Sequence, residues 1–490
     1  MTIIRLVIFF LFIIEIAYSQ NLEKAEDVKL KLLGNGAIFQ QGNVKGYYFY
    51  YEADKKDKKT NNYILRVLDE DAKDVNNINF SKPLTYKLVE SSYNGSCFLF
   101  LFFDSKQNKV SLLTFDNALK QIGEYEKNVS DPDELRSYKG VLVAFLRDEK
   151  RLAPITDKGF IIYGKGSIEA FSNSLQPMWS QRTVGTPFDG FYTDSLAGYA
   201  INRLVEEAKI EYYLLVNNPK TGKYVCSFEI KSPVYKIVPY HFSYDSATQR
   251  ISAFGEYFEK NDDPMTNTSL GFCYMIYDLK GTNVGSKLIP RSTMLGKPLV
   301  NYNGNTEELQ KHVLFHDFIR TKDGQVFVVG EEYKRTTNAG RILMARYMAP
   351  AVMNVYNLVI YQFNASKELD KIHVFHKNKT KVEISGLFMS VQAVARHVKR
   401  IGGFDYRYSQ EFPGNETFSV IYKDIDKKKG EEVLGTIVYA PEKVFQNDKI
   451  VFKRESVRFA VLPAKPGYVL VAEYLTKEKK VDMRLEKINY

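Results

Sequence analysis

The stretch Phe98-Leu99-Phe100-Leu101-Phe102-Phe103-Asp104, then Ser105-Lys106-Gln107-Asn108-Lys109, then Val110-Ser111-Leu112-Leu113-Thr114-Phe115, reads as a β-hairpin. Its two apolar runs are too short for buried helices, are rich in Phe, and flank a polar turn. Aromatic rings favour this setting because they pack on a pleated, half-buried surface. The unit recurs as Tyr212–Val216, the turn Asn217–Lys223 and Tyr224–Phe228, and again as Val469–Leu475, a Lys-rich turn and Val481–Leu485. Further copies turn near Lys56, Lys165, Asn261, Thr337 and Lys428. Successive turns are mostly roughly 45–60 residues apart, close to the length of a four-stranded propeller blade.

Two finer repeats support this reading. The first strand of the hairpin ends alike in Phe254-Gly255-Glu256-Tyr257, Val329-Gly330-Glu331-Glu332-Tyr333 and Val471-Ala472-Glu473-Tyr474. These glutamates read as edge charges that discourage wrong strand pairing. A second turn follows the next strand at Asp116–Lys120, Asp278–Gly281 and Asn364–Lys367. Asp or Asn there can bond nearby backbone and tolerate left-handed conformations. Each unit is then a four-stranded meander, and radial packing leaves only short outer edges. Tandem sandwiches would need units of about 100 residues separated by linkers. The expected fold is all-β, a propeller of about seven or eight four-stranded blades over residues 20–490, with a small helical insertion.

Two stretches break the pattern. Thr306–His312 suggests one or two helical turns capped by Asn305 or Thr306. Gly386–Arg400 suggests an amphipathic helix with Phe388, Val391, Val394, Ala395 and Val398 on one face, inside an insertion of about residues 380–403. Propeller loops on one rim often carry function.

The start of the chain has one early cation, Arg5, an apolar run Leu6–Ile14, and the small residues Ala17 and Ser19 before Gln20. This reads as a signal peptide over residues 1–19. The run falls short of the about 20 residues that a membrane helix needs, and no later stretch qualifies. The expected location is the periplasm, cell surface or extracellular space. Lysines and arginines number 68 against 58 acidic residues, giving a net charge of +10. Their scatter through turns fits a solvated surface, and nucleic acid is not an expected partner. Cys97, Cys226 and Cys273 each sit in an apolar run, so they read as buried core thiols and not as a disulfide framework.

Catalytic motifs are not apparent. His312 and His316 have the spacing of a zinc helix but lack its Glu, and Val313–Phe318 reads as a strand. His373 and His376 alternate on a strand, so all four read as partly exposed strand histidines. Asp424-Ile425-Asp426 begins like a calcium loop, but lysines occupy the later ligand positions. No metal and no cofactor is expected. The densest basic-aromatic cluster is Arg396, His397 and Arg400 with Tyr406 and Tyr408, whose cations and rings could stack a sugar or clamp an anion.

With its signal ending Ala17-Tyr18-Ser19-Gln20 and hairpins such as Phe254-Gly255-Glu256-Tyr257, the sequence resembles a family of exported, propeller-like bacterial proteins without an assigned activity. The resemblance implies the fold and export, and it supplies no catalytic residue. The expected function is a monomeric, non-enzymatic binding or scaffold protein that presents a propeller rim to a protein or glycan partner. The alternative is a glycan-active hydrolase or lyase with carboxylates at the propeller axis.

Overall fold

The computed structural model describes residues 23–488, apart from 27, 41–42, 139–150, 165, 207–208, 265, 296, 298, 303–311, 337–350, 385–390, 413–415, 427–430, 441, 443, 452–457 and 476–479. The turns expected near Lys165, Thr337, Lys428 and after Leu475 fall wholly or partly outside these residues, as does most of the helix expected at Thr306–His312. Eight sheets follow one another along the chain, over residues 23–83, 86–128, 152–182, 186–229, 235–290, 299–384, 406–451 and 458–487, antiparallel except where Leu299–Tyr302 pairs parallel with Leu369–Phe375 in the sixth. They are called blades 1 to 8. Five have four strands; blade 1 has five, blade 6 has six, and blade 8 has three among the described residues.

The packing makes a ring. Each joint between consecutive blades holds its own hydrophobic cluster, including the joint between blades 8 and 1, where Leu470 and Ala472 pack with Tyr47, Phe49 and Tyr51. The second and third strands of a blade are buried on both faces; Cys97–Asp104 is buried throughout, whereas the fourth strand Gln121–Asn128 is largely exposed. This is why the sequence shows continuous apolar runs there, where a one-faced sheet would alternate. The protein is an eight-bladed β-propeller.

The second turns form as expected. Asp116 Oδ1 accepts from the Lys120 N–H at 2.9 Å, and Asp278 and Asn364 accept in the same way from Thr282 and Glu368. The left-handed residue of each turn is Leu119, Gly281 or Lys367, with φ of 59°, 82° and 61°. The three cysteines are buried in the joints, and burial pushes the Cys97 thiol up to about 12.

Two expectations are corrected. The repeated glutamates are not solvated edge charges: Glu331 and Glu473 are fully buried, and Glu256 is half-buried. Each has specific donors, such as the two-pronged Arg484 on Glu473 at 2.7 and 2.9 Å. A carboxylate can sit inside a blade when its lone pairs are met this well. Nor are His316 and His373 partly exposed; both are buried.

His373 Nε2 lies 2.8 Å from Gln362 Oε1, and Nδ1 lies 3.3 Å from the Tyr302 hydroxyl. Burial, with Lys371 adding to it, lowers its pKa to about 4. The folded value lies below the unfolded value of about 6.5, so stability from the neutral ring is complete above that pH. It is lost as pH falls from 6.5 towards 4. We expect the urea midpoint to drop over this window and His373→Gln to flatten the drop; an identical slope in the variant would assign the loss to other groups.

Among the described residues, three helices stand outside the blades: α1 (Pro132–Tyr138), α2 (Arg291–Leu295) and α3 (Val391–Arg400). Helix α3 buries Val394, Ala395 and Val398 against Tyr333, Met353, Val355 and Val382, as expected from the spacing; the expected first turn, residues 386–390 with Phe388, lies outside the described residues. Its end is fixed by bonds from Gly402 N to Lys399 O and from Gly403 N to Val398 O, with Gly402 at φ +70°. That pair of bonds around a left-handed glycine closes the last turn. The helix lies on the rim that carries the connections between blades.

Candidate functional site

With each blade counted from its innermost strand (Val28–Gln40 in blade 1, His312–Arg320 in blade 6), the first strands of neighbouring blades run side by side at most joints. In blades 1, 2, 4, 5, 6 and 7 the pairing of first and second strand skips one residue. The extra residues are Leu33, Val89, Phe188, Tyr240, His316 and Arg407, and the next residues are Gly34, Glu90, Asp189, His241, Asp317 and Tyr408. Such bulges re-aim side chains without ending the ladder.

Three consecutive bulges wall one cavity. Phe188, Tyr240 and His316, with Asp189, His241 and Asp317 beside them, line a space of about 340 Å³ roofed by Gln392, Arg396 and Lys399 of α3. The helix is tied over it by Gln392 Nε2 to Asn267 O at 3.2 Å and by Lys399 Nζ to Phe315 O at 3.4 Å. This size lies in the range of small-molecule sites.

The polar groups of the wall are connected. Arg396 donates to the Tyr240 hydroxyl, which donates in turn to Glu256. Ser269 also donates to Glu256, and Arg291 reaches Ser269 at 3.4 Å. Asp189 accepts from the Phe242 N–H at 2.9 Å and lies 3.7 Å from His241 Nδ1. Asp317 accepts from its neighbour Phe318 N–H at 2.8 Å and from the Tyr406 hydroxyl at 3.0 Å. Every carboxylate of the wall thus has a protein donor. The hydroxyls of Tyr212 and Tyr333, which also line the space, have no hydrogen-bond partner among the described residues and are not sealed from it.

Behind His316 lies a buried charge cluster. His316 Nε2 approaches Glu331 Oε2 at 3.1 Å; Lys377 Nζ lies 3.3 Å from the other Glu331 oxygen and 2.5 Å from Asp405 Oδ2. The Tyr406 N–H donates to Glu331 at 2.8 Å, and the Tyr406 ring stacks on His316 at 4.7 Å. Burial opposes the Glu331 charge, but Lys377 and His316 hold its pKa well below the usual carboxylate range. Burial outweighs Glu331 at His316 and lowers its pKa, so the imidazole facing the cavity is neutral at pH 7. Glu411, exposed on the first strand of blade 7, lies within electrostatic reach of Asp317.

The expected site residues are divided by this arrangement. Arg396 is in the cavity roof, and His397 shares its helix. The Arg400 side chain lies outside the described residues. Tyr406 stands behind His316, and Tyr408 donates to Leu462 O of blade 8 at 3.0 Å, away from the cavity. Sequence reading missed Tyr240 and Asp317, took Glu256 for an edge charge and took His316 for a partly exposed strand histidine. The signal was available in the aligned strings Pro187-Phe188-Asp189, Pro239-Tyr240-His241 and Phe315-His316-Asp317, each at a bulge.

Fold and cavity together define an eight-bladed propeller with a polar-aromatic pocket off its axis. The chain belongs to a family of unknown function (DUF6770), whose model matches residues 1–167 and 180–489. No curated protein matches it. Among solved structures it is similar to a lignostilbene dioxygenase of Pseudomonas brassicacearum, at 9% identity and TM-score 0.41, covering 82% of this chain and 89% of that one. It is also similar to BamB from Moraxella catarrhalis, at 9% identity and TM-score 0.38, covering 94% and 98%. Likenesses this distant carry no argument about activity.

Proposed function

We propose that the protein is a non-catalytic binding protein that takes a small ligand in the cavity beneath α3, and that it works as an exported monomer. The observation that supports this most is the cavity wall itself, where aromatic faces alternate with polar groups that are already oriented by protein bonds. Pre-ordered groups of this kind bind without much loss of side-chain entropy. Export rests on the leader-like run Leu6–Ser19, and no helix among the described residues is long and apolar enough to cross a membrane. A thermal-shift screen of the purified protein against soluble glycans, peptides and organic acids tests the reading. A ligand that binds only the folded state raises the melting temperature. The shift should shrink in Phe188→Trp, whose larger ring narrows the cavity; a shift that both this substitution and Arg396→Gln leave unchanged places the ligand elsewhere.

A second reading, hydrolysis or elimination on a glycan, draws on Asp189, His241, Asp317 and Glu411, which come from the first strands of four consecutive blades. It requires turnover of an oligosaccharide that Asp317→Asn and Glu411→Gln each abolish. Binding without turnover leaves the first reading.

A further inference from the structure

We infer that the part of the cavity under Arg396 is a carboxylate subsite, so that the ligand is a small organic acid held by Arg396 and the hydroxyls of Tyr212 and Tyr333. The inference rests on the cavity being the binding site. Three observations carry it. Arg396 and Lys399 of α3 and Arg291 of α2 line the cavity together with three carboxylates, Asp189, Glu256 and Asp317, each of which already accepts from protein donors. Glu256 is already engaged by Tyr240 and Ser269, so it has little capacity left for a cationic ligand. Tyr212 and Tyr333 are both electrostatic neighbours of Arg396, and neither hydroxyl is bonded to the protein.

A guanidinium flanked by two unengaged hydroxyl donors matches the lone pairs of a carboxylate, and such charge-assisted bonds are stronger than neutral ones. Phe188, Phe254 and Phe315 also line the cavity and supply apolar contact for the body of the ligand. A one-ring acid fills a space of this size, and that acid can be a sugar acid or an aromatic acid. Both present the same group to Arg396.

Calorimetric titration of the purified protein with glucuronate, benzoate and their neutral counterparts glucose and benzamide is the test. One or both acids should bind while the matching neutral compound binds at least about tenfold more weakly, the loss expected when a bond to a charged group is removed. Tyr333→Phe and Tyr212→Phe, which remove only a hydroxyl, should each weaken the acid severalfold without moving the melting temperature. Arg396→Gln should erase the preference for acid over neutral. Glucuronate binding alone identifies a sugar acid, and benzoate binding alone an aromatic one. If a neutral compound binds as tightly as its acid, the carboxylate subsite is wrong and the cavity reading stands. If no compound binds at saturating concentration, the subsite is wrong too, and the cavity reading then depends on the wider screen.

Discussion

Replacing Lys377 with methionine should destabilise the protein by about 3–5 kcal/mol, the usual cost of removing one partner from a buried ion pair. Lys377 is fully buried between Glu331 and Asp405, with Nζ 3.3 and 2.5 Å from their oxygens. Without it, two carboxylates share a dry pocket behind His316, and the nearest remaining basic group is an imidazole that burial keeps neutral. The loss would appear as a lower urea midpoint at unchanged slope. Adding Glu331→Gln and Asp405→Asn to the same variant should recover most of it, since neutral amides need no counter-ion. A loss below about 1 kcal/mol in the single variant would mean that water reaches the cluster, since exposed pairs contribute that little. The cluster also bears on the cavity, because Glu331 contacts both Tyr406 and His316, and His316 is part of the cavity wall.

Phe327→Ala should cost about 3–5 kcal/mol, the range for truncating a core aromatic that leaves a cavity. Phe327 is fully buried in the second strand of blade 6, and its ring lies 4.9 Å from Phe418 and 4.7 Å from Tyr439 of blade 7. These rings belong to second and third strands, which are held by hydrogen bonds on both sides, so the joint has little freedom to collapse into the gap. Val75→Ala is the control: Val75 is 62% exposed on an outer strand of blade 1 and should change stability by less than about 0.5 kcal/mol. Equal effects from the two substitutions would mean that the joints do not carry the stability of the ring.

The fold was legible because its signal is local and repeated. Phe98–Phe103 is apolar at every position because both faces are covered, and Asp116, Asp278 and Asn364 mark turns by chemistry that needs no tertiary partner. The apolar face of α3 was legible for the same reason. The buried glutamates were not. A Glu at the end of a strand looks the same whether it meets water or Lys377, and the lysine is 46 residues further along the chain. Of the cavity, Arg396 stood out through its basic neighbours, while Tyr240 and His316 did not, because strand alternation places a residue on the wrong face once a bulge intervenes.

The skipped residue in six inner strands has an evolutionary side. In a regular strand, changing the side chain that faces the axis competes with the alternation that keeps the blade folded. A bulge uncouples the two, so the position can carry Leu, Val, Phe, Tyr, His or Arg, as it does here, while the backbone stays put. The ring therefore works like a carousel of interchangeable sockets. Three adjacent sockets, in blades 4, 5 and 6, line the cavity, while those of blades 1, 2 and 7 do not.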